Sequence, residues 1–179
     1  MFQLAKINKA DTENQQADKP QNTDLSAYVL SYTWSGDVEQ AGRKLEFDIA
    51  YTTKDKDWTN VVLELGDEVC FSYTDDVTQE TFPVFQGRIF SRSRDSESYT
   101  MRFVAFDNII YLAKSRITRK YANVTVADAI RQTIHDFTIE AGTMPDLSVV
   151  CSFIADDISA TDAIKQALFY QSAQDGKGY

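Results

Sequence analysis

The stretch from Phe82 to Phe106, FPVFQGRIFSRSRDSESYTMRFVAF, predicts one long β-hairpin around which the rest of the chain is organised. Apolar residues and a glycine recur at every second position of its arms, a period typical of strands with one buried face. The residues expected to face the core are Phe85, Ile89, Tyr99, Met101 and Phe103. The Ser and Asp side chains of segment 94–98 favour a turn between the arms. Nothing in this stretch indicates a reaction centre.

Further strands are predicted before the hairpin. Alternating apolar and polar residues indicate amphipathic strands within 25–34, 44–51 and 68–73, and the short apolar segment 2–7 fits another strand. Pro83 lacks an N–H for a central ladder, so we expect an edge or a bulge there. Segment 8–24 contains no Val, Leu, Ile, Met or aromatic residue. Two interpretations of it stay open: a disordered tail, or a long loop between an edge strand and the body.

The pattern changes from strand to helix after Phe106. A short helical pattern begins at Asp107 and is followed by a basic cluster, Lys114, Arg116, Arg119 and Lys120. This cluster either marks a surface for an acidic partner or is a solvated face, and the sequence leaves both interpretations open.

Two helices are predicted near the end of the chain from their first residues. Thr125 and Ser159 are predicted N-caps, because each is followed three residues later by an aspartate, Asp128 or Asp162. Apolar residues then recur at helical spacing, and a strand is predicted between the helices at 147–154. Strands followed by a small helix, strand, helix unit define the α+β class.

Composition excludes several classes of function. The chain has 179 residues and a net charge of -9, which argues against a general nucleic-acid surface, because such binding relies on Lys and Arg. No apolar run approaches the length of a membrane helix, and no leader pattern begins the chain. Cys70 and Cys151 are far apart and predicted to be reduced. We expect a protein made in a cytoplasm.

No residue set for catalysis, metal binding or cofactor binding is evident. His135 is the single histidine and lies off the apolar stripe of its helix, so we expect an exposed, non-catalytic side chain. The acidic pairs Asp75-Asp76 and Asp156-Asp157 lack the regular spacing of a calcium loop. No glycine-rich phosphate-binding loop is present. We therefore predict no catalytic, metal or cofactor site, and a protein that is not an enzyme.

Several motifs resemble a known family when they are taken in order. They are Tyr32-Thr33-Trp34-Ser35-Gly36-Asp37, Gln40 to Phe47, Leu65-Gly66-Asp67-Glu68-Val69, Val84 to Ile89, and Asp107 to Leu112. In this order and spacing they resemble the XkdQ-type phage tail proteins, which are similar to the late control gene D proteins and to the central hub of contractile-tail baseplates.

The resemblance implies a hub protein of a phage or prophage tail baseplate. It implies a tube-like antiparallel β-barrel at 25–112, preceded by an N-terminal strand and a flexible loop or tail at 1–24. A small α/β domain, 113–179, would follow, incomplete relative to the family, which usually continues into a second barrel. A truncated chain, a split gene and a short family member stay open.

The resemblance also implies partners and a location. The chain would form a ring with itself, expected to be a trimer, in the virion tail baseplate. It would contact the tail tube protein, a spike or tail-associated hydrolase, and the tape-measure protein. DNA would pass through the lumen without sequence-specific binding, and the negative net charge would repel phosphate from the wall.

Candidate interface residues follow from this resemblance. The hairpin face opposite the core carries Arg88, Arg92, Arg94 and Arg102, which we expect on one face against an acidic neighbouring subunit. Glu46 and Asp48, on the polar face of their strand, are expected to line the channel or a subunit seam. The alternative function is a β-barrel binding module that recognises a glycan or a peptide.

Overall fold

The computed structural model describes residues 1–7, 22–36, 42–95 and 97–178. Most of segment 8–24, for which a tail and a loop were both considered, lies outside these residues, as does Asp37 of the predicted turn. The described residues belong to two units. The first lies within Met1–Asp37 and Arg43–Asp107, and the second within Val38–Gly42 and Asn108–Tyr179. The functional division into 1–24, 25–112 and 113–179 stays a prediction.

The first unit is an antiparallel sheet of seven strands. The hydrogen-bonded order is β2-β1-β5-β6-β7-β4-β3. The strands are β1 (Phe2–Ile7), β2 (Thr23–Asp24), β3 (Val29–Ser35), β4 (Lys44–Ala50), β5 (Glu68–Thr74), β6 (Thr81–Asp95) and β7 (Thr100–Phe106). The predicted long hairpin is present as β6 and β7 at the centre of this order, and the predicted strand at 2–7 is β1.

The core of the first unit lies along one face of these strands. Its buried residues include Leu45, Phe47, Ile49, Val69, Phe71, Phe85, Ile89, Phe103 and Ala105. Tyr99, predicted for this core, is instead 45% exposed, because it lies outside β7 with φ of 53°. Pro83 lies beside a bulge, where the register of β5 with β6 shifts between Phe71 and Ser72, as expected from the missing N–H.

Gly87 is required where β6 and β7 approach each other. A Cβ atom at this position would lie 2.6 Å from the carbonyl carbon of Phe106 and 2.6 Å from Cζ of Phe85. Real Cβ contacts do not reach such distances, and no side chain can relieve a clash with backbone. The glycine of the predicted hairpin therefore fixes the spacing of the two central strands.

The hydrogen-bonded ladder of the first sheet is open. Within the described residues no strand pairing joins its ends, β2 and β3. Residues between them bridge one end of the opening: the Leu25 N–H donates to the Leu4 carbonyl at 2.8 Å, and the Ala50 N–H donates to the Tyr28 carbonyl at 2.9 Å. The antiparallel sheet and the α+β class are confirmed, whereas the described residues form no closed hydrogen-bonded barrel.

The second unit combines helices with a two-stranded antiparallel ribbon. Its elements are α1 (Ile109–Lys114), β8 (Arg116–Thr125), α2 (Val126–His135), β9 (Val150–Ser159) and α3 (Ala160–Asp175). Both predicted caps are confirmed: Thr125 Oγ1 accepts from the Asp128 N–H at 3.1 Å, and Ser159 Oγ accepts from the Asp162 N–H at 3.0 Å. The structure adds one strand to the predicted helix, strand, helix order, because the basic segment after α1 pairs with β9.

The core of the second unit contains a buried hydroxyl chain. Thr133 Oγ1 donates to the Ala129 carbonyl at 2.8 Å and lies 2.6 Å from the Tyr121 hydroxyl. Since the threonine proton is already used, the tyrosine must be the donor of the second bond. The ring of Tyr121 stacks on Phe153 of the paired strand with centroids 4.6 Å apart, so the hydroxyl contact with Thr133 is what joins the ribbon to α2.

Candidate functional site

The outer face of the first sheet holds the two predicted acidic residues. We use this name for the side chains that point away from the core of that sheet. On β4, Glu46 and Asp48 alternate with the buried side chains of Leu45, Phe47 and Ile49. Residues that pair across an antiparallel ladder share a face. The outer face therefore continues from Asp48 to its partner Arg102 on β7.

Asp48 and Arg102 form the best-defined ion pair of this face. Arg102 Nε and one terminal nitrogen lie 2.9 and 3.2 Å from the two carboxylate oxygens, so the pair is bidentate. Ser31 on β3 donates a further hydrogen bond to the same carboxylate at 2.8 Å. The hydrogen bond from Arg102 lowers the pKa of Asp48, although partial burial opposes this shift, and the same contact raises the pKa of Arg102.

Glu46 also has a cation of its own strand beside it. Lys44 Nζ lies 3.1 Å from the Glu46 carboxylate. Glu46, Asp48, Arg102, Ser31 and Thr33 together line a small polar depression of about 150 Å³. Its charges are largely compensated within the chain, so it offers oriented hydrogen-bonding groups and little net charge.

The four predicted arginines do not share one face, which corrects the sequence interpretation. Arg88 belongs to the outer face, where it contacts Glu68 at 3.4 Å and the Gly66 carbonyl at 3.3 Å. The register of β6 with β7 then shifts between Ile89 and Ser91, which leaves Phe90 as an extra residue. A bulge of one residue reverses the alternation of every side chain that follows it.

Arg92 and Arg94 therefore point to the core side of the sheet. They pair with the inward residues Phe103 and Met101 of β7. There Arg92 donates to the Leu63 carbonyl at 3.3 Å, and Arg94 donates to Thr53 Oγ1 at 3.3 Å. The Arg94 guanidinium also lies 4.9 Å from the ring centre of Tyr51. Both arginines brace the segment between β4 and β5, and their role in an interface stays a prediction.

The predicted basic cluster of the second unit is partly neutralised. Arg116 forms a bidentate contact with Asp157, with Nε 2.7 Å from a carboxylate oxygen, and this contact lowers the pKa of Asp157. Arg119 lies 2.8 Å from Asp136. Both cations are exposed or half-exposed, so the pairs orient the side chains more than they stabilise the fold.

The groups considered for chemistry remain apart in the structure. His135 is exposed in the last turn of α2. In the four described ranges, no cluster of three or more His, Cys, Asp or Glu side chains is placed to hold a metal ion. Cys70 and Cys151 are free, and burial raises the pKa of both thiols. None of the helices seen in the described part is long and apolar enough to span a bilayer.

The sequence did not indicate Ser31 as a partner of Asp48. The alternation of Tyr28, Leu30, Tyr32 and Trp34 suggested a regular strand, whereas the register of β3 with β4 shifts between Val29 and Ser31. The polar character of Ser31 and Thr33 between large apolar residues was the available signal, and it became informative only with the register known.

Comparison with known proteins defines the class of this fold. The 43 kDa tail protein of prophage MuSo2 from Shewanella oneidensis superposes with a TM-score of 0.64 at 11% identity, covering 98% of this chain and 49% of that one. The fold is therefore that of a phage tail protein. The sequence model of the YQBQ-like family matches residues 32–179. The chain belongs to the YQBQ-like family.

Two curated relatives come from Bacillus subtilis (strain 168). The phage-like element PBSX protein XkdQ is 28% identical over 157 residues, which is 87% of this chain and 45% of the relative. Protein YqbQ is 26% identical over the same extent. The chain thus spans about half the length of these relatives. The resemblance to XkdQ-type proteins drawn from the motifs is confirmed.

Proposed function

We propose that this chain is a structural hub component of a phage or phage-like tail baseplate. In this role it forms a ring, joins the tail tube to a spike or cell-wall hydrolase, and surrounds the ejection channel. The observation that carries the proposal is the family match over 32–179 together with a phage tail-protein fold across 98% of the chain. No catalytic step is assigned to the chain in this role.

The outer face supplies groups suited to contacts between subunits. Arg102 uses two of its five donors on Asp48, while 63% of its side chain is exposed. Its position is held by the pair, so little side-chain entropy is lost when a neighbour's carboxylate binds the remaining donors. Arg88 is held by single contacts to Glu68 and to the Gly66 carbonyl. We infer that these two arginines contact an acidic neighbouring subunit.

Glu46 and Asp48 fit a subunit seam better than the wall of a channel. Their carboxylates are paired with Lys44 and Arg102, so they contribute little repulsion toward passing DNA. Repulsion from the lumen would come from the net charge of -9 as a whole. The proposed partners are the tail tube protein, the spike or hydrolase, and the tape-measure protein, with assembly in the host cytoplasm and a final place in the virion baseplate.

Charge reversal on the outer face tests this proposal. The double variant Arg88→Glu, Arg102→Glu is compared with wild type in co-assembly with the tail tube protein from the same genome, followed by light scattering and native mass spectrometry. We expect weaker assembly with an unchanged fold by circular dichroism. The matched control Lys165→Glu, Lys177→Glu makes the same change in net charge on exposed residues of the second unit.

Two outcomes would contradict parts of the proposal. Normal assembly of the Arg88→Glu, Arg102→Glu variant would show that these arginines face solvent and do not contact a neighbouring subunit. A wild-type protein that ignores tail components and binds a glycan or peptide as a monomer would favour the alternative function, a β-barrel binding module.

A further inference from the structure

An open groove lies in the second unit, between the strand β8 and the C-terminal half of the helix α2. Its volume is about 550 Å³. We call it the β8–α2 groove, and the residues that line it are Arg119, Lys120, Arg131, Gln132, His135 and Asp136. Polar and charged side chains thus come from both elements, which gives the groove the character of a binding surface for a charged ligand.

The groove lies where the positive charge of this acidic chain is concentrated. Segment 114–135 contains five Lys or Arg residues and a single acidic residue, Asp128. Since the whole chain has 18 basic and 27 acidic residues, the remainder has 13 basic and 26 acidic residues. Three of the five cations line the groove, together with one carboxylate, that of Asp136. A local positive patch on an acidic protein attracts an acidic partner at this place, while the rest of the surface repels it.

Arg119 has a structural role within the unit. Its Nη1 donates to the Gln132 carbonyl at 2.8 Å, and its Nη2 lies 2.8 Å from the Asp136 carboxylate. A cation at this place stabilises the end of α2, where the last carbonyls lack helical partners and the helix dipole is negative. Arg119 therefore holds β8 against the end of α2, and its own charge is largely compensated.

Lys120 and Arg131 have no comparable structural role. Lys120 is exposed on β8 and belongs to none of the ion pairs formed among the described residues. Arg131 lies in the middle of α2 and contacts Asp128 through one terminal nitrogen at 3.2 Å, with 56% of its side chain exposed. An exposed pair of this kind contributes little to stability, so the carboxylate of a partner can compete for the guanidinium. Two cations of the groove are thus available to a ligand.

The chemistry of these groups fits carboxylates better than a nucleic acid. A guanidinium presents paired N–H donors that match a carboxylate, and an ammonium binds a carboxylate as a point charge. Gln132 and His135 are exposed beside them and add further N–H donors. Binding of nucleic acid relies on the neutralisation of many phosphates, and a chain with a net charge of -9 opposes it outside this small groove.

We propose that the β8–α2 groove binds a short acidic segment of another protein. Lys120 and Arg131 pair with carboxylates of that segment, and Arg119 keeps the strand and the helix at the spacing that this requires. The groove belongs to the second unit and is separate from the outer face. The proposal does not depend on a role in a phage tail.

Fluorescence anisotropy with a labelled peptide tests the groove. The probe is a peptide of alternating Glu and Ser residues at low ionic strength, and the same peptide with Gln in place of Glu is the uncharged reference. We expect wild type to bind the Glu probe and not the Gln reference. Binding should be weakened about fivefold or more in the double variant Lys120→Gln, Arg131→Gln. The matched control Lys165→Gln, Lys177→Gln makes the same charge change on other exposed residues of the second unit.

The outcomes separate the groove from general charge effects. No binding of the Glu probe by wild type, or equal binding by wild type and Lys120→Gln, Arg131→Gln, would overturn the proposal. An equal loss in the Lys165→Gln, Lys177→Gln control would assign the effect to net charge and overturn it as well. Tighter binding of single-stranded oligothymidylate than of the Glu probe, lost in the same double variant, would assign the groove to nucleic acid and overturn the acidic protein partner.

NMR of the backbone amides supplies a second measurement on the same proteins. On addition of the Glu probe to wild type, amide signals of residues 119–120 and 131–136 should shift, and the shifts should be smaller in Lys120→Gln, Arg131→Gln. Signals elsewhere should stay unchanged between the two proteins, because both substitutions replace exposed side chains. Shifts confined to other parts of the chain would place the peptide elsewhere and overturn the proposal.

Discussion

The helix starts of the second unit and the outer face of the first unit depend on contacts of different sequence range. In the second unit, each helix start depends on residues three positions apart, such as Thr125 and Asp128. In the first unit, the outer face depends on contacts such as that of Asp48 with Arg102, which are 54 positions apart. Helix starts are therefore encoded locally, whereas the face on which a strand residue lies depends on register set elsewhere in the sheet.

Separate probes can follow the two units, which makes this contrast measurable. Both tryptophans, Trp34 and Trp58, belong to the first unit, and all helices among the described residues belong to the second. Tryptophan fluorescence thus reports the sheet unit, and helical circular dichroism reports the other.

Replacing Gly87 with alanine should have the largest effect. The new Cβ would clash with the backbone of Phe106, so β6 and β7 must separate, and we expect a loss of about 3 kcal/mol in the free energy of unfolding. Urea unfolding followed by tryptophan fluorescence measures this free energy in the variant and in wild type. Gly142→Ala is the control, since nothing lies within 4 Å of its Cβ position. Equal unfolding free energies for Gly87→Ala and Gly142→Ala would show that β6 and β7 can separate at little cost.

The buried hydroxyl chain predicts an asymmetry between two conservative changes in the second unit. Thr133→Val leaves the Tyr121 hydroxyl buried without its acceptor and should cost about 2 kcal/mol. Tyr121→Phe leaves Thr133 bonded to the Ala129 carbonyl and should cost about 1 kcal/mol or less. Thermal or urea unfolding followed by circular dichroism at helical wavelengths checks both. A larger loss of stability in Tyr121→Phe than in Thr133→Val would contradict the assignment of Tyr121 as the donor to Thr133.

Removing the helix caps should have smaller, local effects. Thr125→Ala and Ser159→Ala each remove a side-chain acceptor for the first turn and should each cost about 1 kcal/mol. The helical signal should shift while the fluorescence transition stays in place. A matching shift in fluorescence would mean that the two units unfold together, which would remove the basis of the contrast.

The outer-face ion pair should give the smallest change in stability but a clear change in titration. Arg102 holds the pKa of Asp48 below its usual range, so the pair stabilises the fold above the unfolded-state pKa and this contribution is lost as pH falls through the folded pKa. In Arg102→Met, the pKa of Asp48 should rise toward its ordinary value near 3.8. NMR of the carboxyl group measures the pKa of Asp48. If this pKa is the same in Arg102→Met as in wild type, its lowering is due to the hydrogen bond from Ser31.

Sequence alone predicted the hairpin, the α+β class, both caps and the family resemblance, because each depends on short periodic patterns or local spacing. It missed β8, since the segment from Arg116 to Thr125 is a strand only through its pairing with β9. It placed four arginines on one face, because strict alternation was assumed across Phe90. Tyr99 was assigned to the core by the same alternation, although its positive φ takes it out of the strand.

The bulge at Phe90 also has a consequence for comparing homologous sequences. A homologue whose β6 lacks the extra residue is shorter by one position here, so its correct alignment carries a single gap at Phe90. Without that gap, its inward residues are matched to outward residues of this chain for the rest of the strand, including Arg92 and Arg94. Conservation counted across such a misaligned segment would combine residues of the core side with residues of the outer face. A gap placed at Phe90 keeps the two sets apart.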